Sequence, residues 1–541
     1  ADAADPEAGA SGAARLLGSR LEGGTVILRS GSVQIDASQI VAPKGKINIE
    51  AKAADLNVAA SRLEVSVGTR ADLRSEVDKL QLGGIDDSQQ NTPSIGLFAA
   101  RNLRVEQGSQ LQASQNLAPL RAEHPDLRRE EIRLTDTSGV VVADAGQRLA
   151  LRDSTIHADA SDNLAGNILL RSRGSGPDSE LSLNTVGLSA SGGAGSGDIR
   201  LNSAAGIRIE ASQLRANSHH SPADPDPPEQ PEQSNWEAIV RGTGSFQGGE
   251  ITLTNSARDR PVVVLNSQLQ AQQSGSDGPL STFKLTGRDL AGGFTDIFDD
   301  SDRPGVNLLG GVINIFSAGG ITIAGSGSWL STSSTPSSGG IEDLFGGVIR
   351  LVNASPTLPV QIAEGVRIES TTGPTQDPSS APFTSGGMVN VWSQGPVAIT
   401  GSFLSTASLV PPDDPSGAEY YQGGLSLYSG SQVLIRQSSI QFGPGLGYGE
   451  GLGELAIRSP ANADLSGSVF APSCPGGCSE GWNQQEFEDF LWRDTASNGA
   501  YLWGPFRGVN ANIKPEISEA GFLIKDEVFT GNPLGKPSIP E

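Results

Sequence analysis

The sequence is short of the residues that fill conventional cores and build conventional catalytic centres. Aromatic residues make up 5% of the 541, methionine occurs once, cysteine twice and histidine four times. A single large globular core draws more heavily on aromatic and methionine bulk, so that architecture is disfavoured. The histidines are His124, His157, His219 and His220, and there is no second cysteine pair with which to complete a zinc site. No stretch approaches the ~18 apolar residues of a membrane-spanning helix. Positive charge is also scarce: 38 Lys and Arg stand against 61 Asp and Glu, a net charge of −23. That balance repels nucleic acid and anionic lipid, so neither is an expected partner. It suits a protein working outside the cell, or one that collects cations.

What is abundant is glycine, 69 of 541 residues, well above the usual share of about 7%. The glycines mark a repeat. Its first half is a glycine or glycine pair followed by alternating apolar residues, as in Gly23-Gly24-Thr-Val-Ile-Leu, Gly166-Asn-Ile-Leu-Leu, Gly197-Asp-Ile-Arg-Leu and Gly248-Gly249-Glu-Ile-Thr-Leu. The series continues with Gly310-Gly311-Val-Ile-Asn-Ile, Gly346-Gly347-Val-Ile-Arg-Leu, Gly386-Gly387-Met-Val-Asn-Val and Gly423-Gly424-Leu-Ser-Leu. The second half reads apolar-x-apolar, a short spacer often containing serine, then apolar-x-Ala/Ser, as in Val33-Gln-Ile-Asp-Ala-Ser-Gln-Ile-Val-Ala and Ile207-Arg-Ile-Glu-Ala-Ser-Gln-Leu-Arg-Ala. Alternation at period two means strands with one buried face, and Gly or Ser is placed at corners where the chain bends sharply or takes positive φ. Three short strands cannot bury their own inner face, whereas stacking unit upon unit can.

The expectation is therefore an all-β, right-handed parallel β-helix, a solenoid with loop insertions and a small α or irregular carboxy-terminal cap. The period is 36 residues from Gly311 to Gly347, 40 to Gly387 and 37 to Gly424, while the 52 from Gly197 to Gly249 and the 62 from Gly249 to Gly311 imply insertions. The organisation read from the chain is a lead-in or linker over 1–20 and the β-helix over 21–470. Insertions fall near 71–95, 115–130, 217–247 and 274–309, and an aromatic-rich cap follows over 471–541. Ile27, Ile209, Ile251, Ile313, Ile349 and Val389 are expected to stack in the core, one per coil. In the cap, Asn483-Gln-Gln-Glu-Phe-Glu-Asp-Phe-Leu-Trp reads as a helix, with Asn483 and Glu486 at capping-box spacing and Phe487, Phe490 and Leu491 on one face.

The Gly-Gly-x-Ile-x-Leu and Ile-x-Ala-Ser-x-Leu-x-Ala pattern resembles the haemagglutination repeats of filamentous haemagglutinin-like, two-partner-secretion-type exoproteins, in a cyanobacterial-looking version. The resemblance spans about Gly23 to Ser459. It implies a secreted or cell-surface, outer-membrane-associated protein of a Gram-negative-type bacterium: an adhesin that presents loops from a rigid rod to a protein or carbohydrate on a cell surface or matrix. The alternative role is structural, as a subunit of a sheath, filament or matrix formed by self-association. The chain opens with Ala1-Asp-Ala-Ala, so removal of a signal peptide and origin as a fragment are both open readings.

Two constellations carry possible site chemistry. Cys474-Pro-Gly-Gly-Cys478 is a tight loop in which the sulfurs can meet as a disulfide, with a free redox pair or half a metal site as the alternatives. In exoproteins of the resembled kind, a close cysteine pair near the carboxy terminus helps tether the protein to its outer-membrane transporter. Asp296, Asp299, Asp300 and Asp302 offer the hard oxygen ligands that suit calcium, but without the glycine placement and distal glutamate of an EF-hand loop, so a solvated loop is the competing reading. Some parallel β-helices are polysaccharide lyases or glycosidases, whose sites need paired carboxylates on one strand face. Here Asp36, Glu64 and Glu210 stand isolated along the strands and read as outward solubilisers. No catalytic residues are assigned, and the expected protein is not an enzyme.

Overall fold

A computed structural model describes residues 12–43, 45–66, 94–114, 139–160, 165–192, 196–219, 248–274, 285–288, 294–298, 306–335, 342–372, 384–407, 424–442, 455–458, 463–472, 516–518, 521–524 and 528–529. Every regular element among them is a β-strand, and almost every pairing is parallel. The chain forms a parallel β-helix, divided into two compact units: Ala1–Arg215 with Leu253–Ala257, and Ala216–Thr252 with Arg258–Glu541.

One coil shows the plan. A six-residue strand, Lys46–Ala51, is followed by the four-residue strand Leu56–Ala59 and then by Arg62–Ser66. Along Lys46–Ala51 the side chains alternate strictly between half-buried and buried, which is the period-two pattern of the sequence made physical. Successive coils pair residue for residue. In the first unit Ile47 lies beside Ile95, Ile95 beside Val141, Val141 beside Ile168 and Ile168 beside Ile199. A second column runs Val33, Leu56, Leu103, Leu149, Leu181, Ile207. A third runs Ile40, Leu63, Leu111, Ile156, Leu188, Leu214. All seventeen of these side chains are buried, each contributing roughly 1.5–3 kcal/mol of apolar burial.

The second unit repeats the plan with Ile313, Ile349, Val389, Leu425 and Leu455 in one column. The next columns are Val262, Ile321, Val360, Val397, Val433 and Leu269, Leu330, Ile368, Leu404, Ile440. Short extra strands extend some of its coils: Val306–Leu309 pairs in parallel with Glu342–Phe345, whereas Leu285–Arg288 and Phe294–Phe298 form an antiparallel hairpin. Near the carboxy terminus Gly521–Ile524 pairs antiparallel with Ser468–Pro472, and Val528–Phe529 with Ala463–Asp464. The helix expected over 483–492 lies outside the described residues.

Two core expectations are corrected by the register. Ile27 pairs with Asn48 and points outward, 57% exposed, while its neighbours Val26 and Leu28 pair with Ile47 and Ile49 and face in. Ile209 is buried but belongs to the column of Ile35, Val58, Val105, Leu151 and Leu183, on a different face from the six-residue strands.

The corners also differ from the expectation that glycine or serine supplies their positive φ. Between the second and third strands of a coil the left-handed residue is usually not glycine: Ala37, Ala60, Ala211, Asn266 and Gln437 all have φ between 45° and 50°. Each immediately precedes a buried serine, Ser38, Ser61, Ser212, Ser267 or Ser438. The serine hydroxyl donates to the carbonyl two residues back, as Ser61 does to Ala59 at 2.6 Å, and accepts the N–H of the serine one coil earlier, as from Ser38 at 3.0 Å. These paired bonds satisfy the backbone at a bend where the sheet ladder is interrupted. The glycine pairs serve a different need, which is close approach. A Cβ on Gly347 would lie 2.0 Å from the Gly311 carbonyl oxygen, and one on Gly387 would lie 2.3 Å from that of Gly347.

Candidate functional site

In a solenoid the inner face is committed to packing, so chemistry available to a partner lies on outward side chains and in the segments between coils. The outward face of the six-residue strands in the second unit is unusual in composition. The register brings Asn314, Arg350, Asn390 and Ser426 into one outward column, and Phe316, Val352, Trp392 and Tyr428 into the next. Trp392 and Tyr428 meet edge to face, with ring centroids 5.8 Å apart and planes at 85°, the arrangement favoured by the ring quadrupoles.

The asparagines are the distinctive members. Although their strand positions point away from the core, Asn314 is 5% and Asn390 4% exposed. The Asn314 amide nitrogen donates to the Glu250 carboxylate at 3.1 Å and to the Thr252 hydroxyl at 3.3 Å. The Asn314 carbonyl oxygen, the Asn390 amide nitrogen and the Trp392 indole nitrogen are each buried with no hydrogen-bond partner. A buried polar group without a partner costs about 1–3 kcal/mol, so three in one strip form a concentration of unmet hydrogen-bonding capacity.

The first unit holds two polar clusters of another kind. Asp144, 3% exposed, receives Arg171 and Arg173 from the following coil, with the Arg171 Nε at 3.0 Å and the Arg173 Nε at 2.8 Å. Burial works to raise the Asp144 pKa, but hydrogen bonds from Arg173 and Arg171, with their charges, outweigh it and hold the carboxyl below its ordinary range. Asp159 accepts from His157 Nδ1 at 2.9 Å, from the Ser189 hydroxyl at 2.5 Å and from the Ser191 N–H at 2.8 Å. Here too burial pushes upward and the hydrogen bonds from His157, Ser189 and Ser191 bring the pKa down. Serine, histidine and aspartate together suggest nucleophilic catalysis, but the order is wrong for it. The Ser189 hydroxyl donates to the carboxylate rather than to the imidazole, so this contact does not set a base against the hydroxyl. Both clusters act as ties between coils.

Sequence reasoning missed all three groups. The Asp144 tie had a usable signal, because aligning Val140–Ala145 on Ile168–Ser172 sets Asp144 beside Arg171. Of the predicted site residues, Cys474, Cys478, Asp299, Asp300 and Asp302 lie outside the described residues. Asp296 lies in the hairpin strand Phe294–Phe298, opposite Thr286. Among the described residues no group of three or more His, Cys, Asp or Glu side chains is placed to hold a metal ion. Asp36, Glu64 and Glu210 occupy outward strand positions, where Glu64 pairs with Arg62 and Glu210 with Arg208. No family model, no curated protein and no solved structure matches the chain.

Proposed function

We propose that this protein is a secreted cell-surface adhesin or related exoprotein: a β-helical scaffold that presents binding segments and binds without turning over its partner. The observation that supports this reading best is the indifference of the ladder to what lies between its strands. Residues 67–93 separate Arg62–Ser66 from Ser94–Ala99, yet Ile47 still meets Ile95 and Leu63 still meets Leu111 without a slip. A fold that keeps its core register across such segments can vary them without loss of stability, which is what presentation of binding loops demands. The resemblance to filamentous haemagglutinin-like repeats points the same way, and with it to an outer-membrane-associated location and delivery through an outer-membrane transporter.

A second reading, as a subunit of an extracellular sheath, filament or matrix, draws on a different observation. Ala13–Leu17, Arg20–Glu22 and Thr25–Ser30 each pair on one side only among the described residues, and the large exposed apolar side chains there, Leu17 and Ile27, belong to this same edge. Exposed apolar side chains on strands invite association.

The test is attachment. Replacing 67–93 and 221–234 separately by short Gly-Ser turns should leave the melting temperature within about 2 °C of the parent, since stability resides in the ladder, and at least one replacement should reduce binding of the labelled protein to its cells or matrix. Undiminished attachment by both shortened proteins, together with concentration-dependent assembly, would transfer the assignment to the structural role. Release of products from any polysaccharide or peptide would overturn the non-enzyme reading.

A further inference from the structure

Building on the reading of this chain as a binding exoprotein, we propose that the outward strip of the second unit around Trp392 is a binding site for a linear, uncharged polysaccharide. The strip offers the two chemistries that sugar rings require together. Apolar and aromatic faces, here Phe316, Trp392 and Tyr428, cover the C–H face of a pyranose ring. Planar polar groups, here Asn314, Arg350 and Asn390, meet its hydroxyls, and a hydroxyl is both donor and acceptor. A hydroxyl can therefore serve the unpartnered Asn314 carbonyl oxygen and the unpartnered Asn390 and Trp392 nitrogens alike. A purely apolar partner would leave all three unmet and a carboxylate would serve only the two nitrogens.

Charge selects among the saccharides. The chain carries −23 overall, and within the strip Asn314 lies between the two charges, paired with Arg350 in the register and bonded through its amide to the Glu250 carboxylate. Uronic acid and sulfated polymers would be repelled at a distance and gain no net positive surface on arrival. A neutral chain incurs neither penalty. The geometry also suits an extended ligand. The two columns cross four successive coils at the ~4.8 Å spacing of paired strands, so equivalent groups recur at intervals on the scale of one sugar ring. Binding requires side chains of the strip to turn enough to admit the hydroxyls, because the unpartnered atoms are buried.

The experiment titrates the intact protein with cellohexaose, mannohexaose and maltohexaose, following heat by calorimetry and tryptophan emission in parallel. The expected result is saturable binding of at least one of the three, with a change in emission, and no competition from polygalacturonate. Trp392→Ala should weaken that binding about tenfold or more with the far-ultraviolet circular dichroism unchanged. Asn390→Ser, a smaller change on the same strand, should weaken it measurably if the first variant folds poorly. Absence of binding by all three hexasaccharides at millimolar concentration overturns the proposal, as does binding that persists undiminished in both variants. A parent protein that attaches to cells yet binds none of the three hexasaccharides would reject this site while leaving the broader adhesin reading intact.

Discussion

The N–H of Ser38 donates to the hydroxyl of Ser61, one coil further on, at 3.0 Å, while that hydroxyl donates to the Ala59 carbonyl two residues behind it at 2.6 Å. Ser61 repeats the relation with Ser109, its N–H meeting the Ser109 hydroxyl at 3.3 Å. One small side chain thus stabilises its own left-handed corner and ties it to the corner before. Ser61→Ala leaves the Ser38 N–H without this acceptor in a buried place. The expected loss is about 1–2 kcal/mol, read as a lower midpoint in urea with unchanged slope. An unaltered midpoint would show that the serine column is incidental to the corner.

The inward and outward assignments predict opposite outcomes for two isoleucines. Ile313→Asp places a lone carboxylate in a fully buried column between apolar neighbours, and should cost more than about 3 kcal/mol. Ile27→Asp changes an exposed side chain and should stay within about 0.5 kcal/mol of the parent. Thermal melts of the two variants side by side decide the matter, and equal destabilisation would mean that the outward assignment of Ile27 is wrong.

The glycine pairs make a steric prediction. In Gly347→Ala the new methyl lies 2.0 Å from the Gly311 carbonyl oxygen, a backbone atom that cannot swing aside. Coils must separate locally, at a cost of about 2 kcal/mol or more. Gly24→Ala, where an added Cβ meets nothing within 4 Å, is the control and should melt like the parent.

Acid should loosen the first unit through Asp144. Its folded pKa lies below the ordinary carboxylate value because Arg173 and Arg171 overcome the effect of burial. The linked stability is present above the unfolded value of about 3.9 and is lost as the pH falls through the folded one. Asp144→Asn removes the charge the arginines address and should cost about 2 kcal/mol at neutral pH. The gap between variant and parent should close as the pH is lowered below about 4. A gap that stays constant from pH 7 to pH 3 would contradict the ionic nature of this tie.

Much of the architecture was legible because a parallel solenoid writes the same constraint repeatedly. Period-two alternation, glycine pairs and a recurring spacing of 36 to 40 residues all report stacked coils. Ile27 shows where legibility ends. In Val26-Ile27-Leu28 three apolar residues stand in a row, so alternation within the strand fits either parity. Only the pairing of Val26 and Leu28 with Ile47 and Ile49 in the next coil decides it. The left-handed corners were hidden because most of them fall on alanine or glutamine, which carry no local signal for positive φ. There the fixed ladder on both sides overrides intrinsic preference. The buried outward asparagines were hidden for a similar reason, since an asparagine at an outward strand position reads as solvated. In the register both asparagines flank the long side chain of Arg350 on the same outward face.

Every placement above depends on parallel, unslipped pairing of consecutive coils, and a cysteine cross-link measures that directly. Thr322 pairs with Gln361 across adjacent strands, and Ala363 lies two residues further along. With Cys474 and Cys478 replaced by serine, Thr322→Cys combined with Gln361→Cys sets the two Cα atoms about 4.8 Å apart, within disulfide range. Thr322→Cys combined with Ala363→Cys sets them about 8 Å apart, beyond it. The account predicts rapid, near-complete cross-linking of the first pair under mild oxidation and little of the second. Faster cross-linking of the offset pair, or none of either, would contradict it.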